Sequence, residues 1–275
     1  MQIAKAMAEL EDAVPQAKDE YMGEDGFLHC AVCHERTQSH VVVEELGIDR
    51  KVPCVCKCFK QKEAEREEQM RREEAERRRE VCFRYKQRMK NGTFDTDDRQ
   101  NETLSNAMWK YAEDFEEHKR EGTGLLLYGT VGTGKTFYAA CIANRLLDKG
   151  YDVLCTSITE LVNKMQADFS DKQDVLDDLR KYQLLIIDDM GVERDTPYMQ
   201  EQVYTIIDSR YQSGLPMIVT TNLTAEELKK QDDRPHKRIY DRLLEKCFPI
   251  EMSGQSRRRQ NVRSSFHDMK SKLGL

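Results

Sequence analysis

Eight residues, Gly129-Thr130-Val131-Gly132-Thr133-Gly134-Lys135-Thr136, fit the pattern G-x-x-x-x-G-K-[ST] in full. Each type has a physical reason to be there. Glycines let the backbone curl until its N–H groups converge on an anion. A helix beginning near Lys135 turns its positive end toward the same point. Lys135 supplies a cation to the β- and γ-phosphates of ATP, and Thr136 supplies a hydroxyl to Mg²⁺. A phosphate loop also needs a carboxylate at the tip of a neighbouring apolar strand. The run Leu184-Leu185-Ile186-Ile187-Asp188-Asp189 offers two. Asp188 is expected to orient the Mg²⁺ shell and Asp189 to polarise an attacking water, an arrangement that favours hydrolysis over nucleotide storage.

Three further groups of residues carry candidate chemistry. Asn222, at the tip of the strand-like run Val219-Thr220-Thr221, either holds the water or senses the γ-phosphate, or else caps the helix that follows. Arg238 and Arg242 lie four residues apart, hence on one helical face. They either complete a neighbouring protomer's site, as a trans arginine does in phosphoryl transfer, or form surface ion pairs. Five of the nine cysteines crowd between Cys30 and Cys58. In a reducing compartment such a cluster points to metal before disulfides. Cys30 and Cys33 form a C-x₂-C knuckle suited to Zn²⁺, and two of Cys54, Cys56 and Cys58 complete four ligands. No catalytic constellation surrounds them, so a structural zinc is expected.

The elements that must position these groups follow from pattern. Residues 59–92 are almost uninterrupted Glu, Arg, Lys, Gln and Ala, strong helix formers, and Asn91-Gly92 is the expected stop. This run reads as a solvated spacer helix, or as a DNA- or partner-binding one through its basic end (Arg77, Arg78, Arg79, Arg84, Lys86, Arg88, Lys90). A single helix is expected over Leu104 to Lys119. Beyond it, apolar strands (Leu125–Tyr128, Tyr151–Ser157, Leu184–Ile187, Pro216–Thr221, Pro249–Met252) alternate with helices, which argues for an α/β domain with a parallel sheet covered on both faces. The organisation read from the chain is 1–58 zinc-binding adaptor, 59–92 charged helical linker and 93–275 ATPase domain with a basic tail. The chain of 275 residues is 34% charged with a net charge of −6. No apolar run approaches the roughly 20 residues needed to span a bilayer, and the N-terminus has no secretory h-region. A cytoplasmic protein without membrane contact is expected, and any DNA contact must come from a local basic patch.

The phosphate loop, LLIIDDMGVER, IVTTNLT and RIYDRLLE occur in the order and spacing seen in DnaC-type replicative helicase loaders, and the chain resembles their phage-like branch over about residues 95–260. The related IstB-type transposition ATPases share this core. The resemblance implies an AAA+ domain with a five-stranded parallel sheet and no full helical lid, ATP-dependent homo-oligomerisation with sites between protomers, and binding to single-stranded DNA and a replicative ring helicase. It makes Lys135 and Thr136 the Walker A pair, Asp188 and Asp189 the Walker B pair, Asn222 sensor 1, Arg242 the arginine finger with Arg238 one turn earlier, and Arg258 the sensor 2 arginine. Walker B is Asp-Asp here where many relatives have Asp-Glu, which implies slow turnover.

Overall fold

Two short hairpins carry the cysteines. In the computed structural model, which describes residues 19–166, 171–191, 196–229, 234–254, 269–270 and 273, β1 (Glu20–Met22) pairs antiparallel with β2 (Leu28–Cys30). β3 (Gln38–Val43) pairs likewise with β4 (Ile48–Pro53). The long helix α1 (Lys57–Cys82) follows. Glu35 closes its first turn by accepting the Lys57 N–H at 2.7 Å, the ordinary way to satisfy an orphan helix donor. The chain divides inside this helix, between Glu74 and Ala75, into two compact units.

Helix α1 ends ten residues before the expected stop at Gly92. Its end lies at the apolar core. Cys82 and Phe83 are fully buried and Met89 nearly so, all in one apolar cluster with Tyr138, Leu146 and Ile186. Past Cys82 the chain turns, with the Lys86 N–H on the Phe83 carbonyl at 2.9 Å. The basic end is consumed in the same docking. Arg78 pairs with Asp152 at 3.3 Å, Arg84 lies 4.0 Å from Asp178, and Lys90 pairs with Glu76 at 2.6 Å. Arg79 donates to Asn144 at 3.1 Å. These side chains therefore have partners within the folded chain.

The single helix expected over 104–119 is two, α2 (Glu102–Glu113) and α3 (Phe115–Glu121), broken at Asp114. The α/β unit then unfolds in order: β5 (Gly124–Tyr128), α4 (Lys135–Asp148), β6 (Val153–Thr156), α5 (Ile158–Gln166), α6 (Asp171–Lys181), β7 (Leu184–Met190), α7 (Pro197–Ser213), β8 (Met217–Thr221), α8 (Ala225–Lys229), α9 (Arg234–Lys246) and β9 (Cys247–Glu251). The five strands lie in the order β6-β7-β8-β5-β9, all parallel. Successive side chains on a strand face opposite sides, so an apolar run must feed two cores. Leu125, Leu127, Ile186 and Ile218 point into one cluster, and Leu126, Leu185, Ile187 and Val219 into the other. This is the α/β parallel sheet expected from the alternation of elements. The expected lack of a helical lid after Met252 falls mostly on residues outside the described set.

Buried between α7 and the ends of α6 and β8 is Arg210, 1% exposed. It donates to the backbone carbonyls of Leu179, Tyr182, Gln183 and Pro216 at 2.6–3.2 Å. Burial holds its pKa down, to about 10, still well above neutral, so it remains a cation that ties the C-terminal carbonyls of α6 to α7. Nothing in its sequence neighbourhood distinguishes it from a surface arginine.

Candidate nucleotide-binding site and cysteine cluster

The loop between β5 and α4 needs its glycines. Gly129, Gly132 and Gly134 have φ of 122°, 85° and 101°, a region that side-chain-bearing residues avoid. A Cβ on Gly129 would also fall 2.7 Å from the Met252 carbonyl oxygen. The loop is anchored at its entry, with the Gly129 N–H on the Leu223 carbonyl at 3.2 Å. It is braced within by the Thr133 hydroxyl on the Thr130 carbonyl at 2.9 Å. Lys135, 5% exposed, opens α4 and turns its ammonium back over the loop, 2.8 Å from the Gly129 oxygen and 2.7 Å from the Thr130 oxygen. Val131 stands out to solvent at the loop's crown.

Opposite the loop, β7 delivers the two acids in unlike settings. Asp188 is 3% exposed. One of its oxygens, Oδ1, accepts from the Thr136 hydroxyl at 2.7 Å and from the Thr220 hydroxyl at 2.8 Å. The other, Oδ2, lies 3.4 Å from Lys86 Nζ. Asp189 takes a left-handed backbone, φ 58°, at a register shift between β7 and β8. A bulge beside a site re-aims a side chain in this way. The bent peptide is held because the Asp189 N–H donates to the Thr220 hydroxyl at 2.9 Å. Thr220 therefore bridges both acids, accepting from one backbone and donating to the other carboxylate. The sequence signal for it is weak: Thr220 and Thr221 together close an apolar strand, and both are fully buried.

Asn222 sits at the tip of β8 with its amide 3.4 Å from Asp189 Oδ1. Its alternative role, capping the next helix, belongs to Thr224. The Thr224 hydroxyl accepts the Glu227 N–H at 3.3 Å, and Glu227 returns a bond to the Thr224 N–H at 2.8 Å, a capping box. The loop, Thr136, both acids and Asn222 thus converge on one end of the sheet. The residue set fits a Mg²⁺–nucleotide: a backbone cradle that tolerates no Cβ at Gly129, one ammonium, and a hydroxyl–carboxylate pair as oxygen donors.

Arg238 and Arg242 lie on α9. Arg238 is exposed. Arg242 forms an ion pair with Asp208 of α7 and stacks over the rings of Tyr204 and Tyr211, 4.6 and 5.3 Å from their centroids. Within this protomer Arg242 thus makes an ion pair, the second of the two roles expected for it. Arg258, with Arg257, Arg259, Arg263 and Lys272 of the basic tail, lies outside the described residues.

In the N-terminal unit, Cys30, Cys33, Cys56 and Cys58 bring their four sulfurs within 4.8 Å of one another. Tetrahedral zinc with Zn–S near 2.3 Å requires sulfurs about 3.8 Å apart, so the donor set fits zinc. Backbone N–H groups of Cys58 and Glu35 pull the Cys33 thiol down to about 6, while hydrogen bonds to Cys56, Cys30 and Cys33 push Cys58 up to about 12. Four crowded thiols that cannot all ionise alone are what a dication relieves. Cys54 is a correction to the candidate ligands. Its thiol bonds to the Arg36 carbonyl at 3.4 Å, and burial raises its pKa. Cys54 directly follows β4 whereas Cys58 lies in the first turn of α1, so the turn of the chain into the helix, not spacing, separates Cys56 and Cys58 from Cys54. Neither flanking histidine joins the four. His29 is held by Asp25 at 3.0 Å and by the His34 carbonyl at 2.9 Å, and His34 bonds to the Tyr21 hydroxyl at 3.1 Å.

Comparison with known proteins agrees with this geometry. The profile of the family described as IstB-like ATP binding protein matches residues 59–265, which takes in the phosphate loop and both acids and leaves out most of the cysteine-bearing unit. The chain is similar to the replicative helicase loader DnaI of Bacillus subtilis strain 168, 30% identical over 167 residues, 55% of this chain and 54% of that protein. It is similar to the replicative helicase loader DnaC of Escherichia coli K12, 32% identical over 129 residues, 46% of this chain and 53% of that protein. The chain thus spans about half the length of the curated relatives it matches. A crystal structure of the DnaC helicase loader superposes with a TM-score of 0.53 at 22% identity, covering 60% of this chain and 99% of that one, a likeness of fold. Among the described residues no helix is long and apolar enough to cross a membrane.

Proposed function

The chain belongs to the family of IstB-like ATP-binding proteins, and from that premise we propose that it loads a replicative ring helicase onto single-stranded DNA, switching with slow ATP hydrolysis in a cytoplasmic homo-oligomer. The observation that carries the reading is the Thr136 hydroxyl 2.7 Å from the buried Asp188 carboxylate, directly behind a glycine loop with its ammonium in place. That pairing binds a metal–polyphosphate. The names of the most similar relatives supply the choice of loader among the functions of such a site.

The residues divide the work. Loop N–H groups and Lys135 bind and orient the phosphates. Thr136 and Asp188 would hold Mg²⁺, which when bound screens the phosphate charge. Asp189, aimed by its bent backbone and steadied by Asn222, accepts a proton from the attacking water. Thr220 fixes the relative position of the two acids. Helix α9 presents Arg238 and the pre-set Arg242 to a neighbouring protomer. The four-cysteine unit, folded around zinc, grips the helicase, and the basic tail with Arg258 contacts nucleotide or DNA.

The test is transfer of a purified replicative helicase to single-stranded DNA. Wild-type chain with Mg–ATP is expected to deliver the ring, and Lys135→Ala, having lost the ammonium, to bind neither ATP nor deliver it. Delivery by wild type in the absence of any nucleotide would refute the switch. Stable capture of a transposase and of duplex DNA in place of helicase would move the assignment to the transposition branch of the family.

A further inference from the structure

We propose that Lys86 is a counter-ion of Asp188 and competes with Mg²⁺ for that carboxylate, so that the segment following the charged helix responds to metal at the nucleotide site. The inference rests on the nucleotide-binding reading above and deepens it by adding a positioning residue from outside the recognised motifs.

Three observations carry it. Asp188 is almost wholly buried, and both of its oxygens are engaged from opposite sides: Oδ1 by Thr136 and Thr220, Oδ2 by Lys86. A buried carboxylate without a cation is strongly unfavourable, and losing one partner of such a pair leaves the other uncompensated. Lys86 is also no mobile surface lysine. Its residue follows Cys82 and Phe83, both fully buried. Cys82 Sγ lies 3.5 Å from Cys155 Sγ on β6, and Cys155 is paired in register with Ile186 of β7. The segment that carries Lys86 is therefore packed against β6, the neighbour of β7 on the side away from β8. Finally, the oxygen donors that fit Mg²⁺ include this same carboxylate. One acid held by an ammonium has less charge to offer a dication, and a dication that takes the acid weakens its hold on the ammonium. Coupling of this kind acts equally in both directions.

The experiment titrates Mg²⁺ against a fluorescent ATP analogue bound to the full chain, for wild type, Lys86→Met and Lys86→Arg, with binding in excess chelator as the metal-free reference. Removing the competing charge is expected to lower the half-saturating Mg²⁺ concentration of Lys86→Met by about fivefold or more, roughly the effect of one partly screened unit charge at this distance. Lys86→Arg is expected to keep the wild-type value. In wild type alone, amide exchange over residues 82–90 is expected to speed up on going from chelator with analogue to Mg²⁺ with analogue. A residue that merely packs would leave the metal dependence unmoved. A Lys86→Met curve that overlays wild type or shifts to higher Mg²⁺ overturns the proposal. So does unchanged exchange in wild type, which decides the matter should the methionine variant fail to fold. If wild type takes up no analogue at any Mg²⁺ concentration, the functional reading falls and this inference with it; if it does and the curves coincide, only the inference falls.

Discussion

Asp188 and Asp189 are neighbours in the chain with opposite backbone and solvent settings. Asp188 continues the strand into a buried network of two hydroxyls and one ammonium. Asp189 leaves it through a left-handed conformation that costs a residue with a side chain of order 1 kcal/mol or more. Such strain persists where the surroundings impose it, and here the Thr220 hydroxyl holds the peptide while the register shift opens the turn. Asparagine adopts the left-handed region more readily than most residues. Asp189→Asn should therefore preserve the fold and remove only the base. Nucleotide affinity is expected within about threefold of wild type, and turnover to fall about a hundredfold or more, the usual worth of a positioned base. Direct binding and steady-state phosphate release on the same preparation check this; normal turnover would reassign the base.

At the level of elements, the hairpins β1–β2 and β3–β4 are three and six residues per strand, too small for independent stability without further support. Among the cysteines, only Cys30 and Cys56 are buried in this unit, and its exposed Tyr21, Met22, Val32 and Val42 leave little apolar surface to bury. Zinc held by the four cysteines would then supply much of its folding free energy. Stripping zinc with a strong chelator is expected to collapse the NMR dispersion of residues 19–56 while ATP-analogue affinity of the same sample stays within about twofold. Retained dispersion in a verified metal-free sample would show that the thiols need no ion. Helix α1 follows the opposite logic, since its exposed stretch carries local i,i+4 pairs such as Arg72–Glu68 at 2.9 Å, and it ends where tertiary burial begins.

For the whole molecule, the open question is whether one chain holds a complete site. Arg242 is paired with Asp208 and framed by two tyrosines, an arrangement that fixes a planar guanidinium at modest entropic cost while leaving it partly exposed. Arg242→Ala is expected to bind nucleotide within about threefold of wild type yet lose most turnover, as loss of a trans arginine does. Mixing it with Lys135→Ala should restore activity, because each variant supplies what the other lacks. Recovery at no mixing ratio would place the complete site within one protomer.

The phosphate loop, the acid pair, the α/β class and the crowding of thiols at the N-terminus were all legible in the chain, because each is enforced by local constraints: left-handed glycines, period-two burial on both faces of a strand, and knuckle spacing. The tertiary structure decided what depends on distance through space. It chose Cys56 and Cys58 over Cys54, since the order of sulfurs along an extended segment does not say which reach the knuckle. It ended α1 at Cys82, since a run of good helix formers carries no signal for a core that lies elsewhere in the sequence. It also brought Thr220, Lys86 and Arg210 to polar work inside the fold, because the Asp188 carboxylate and the Gln183 carbonyl that they serve lie 27 to 102 residues away. Spacing along the chain encodes only contacts between near neighbours; those partners meet because packing the two faces of the sheet puts them together.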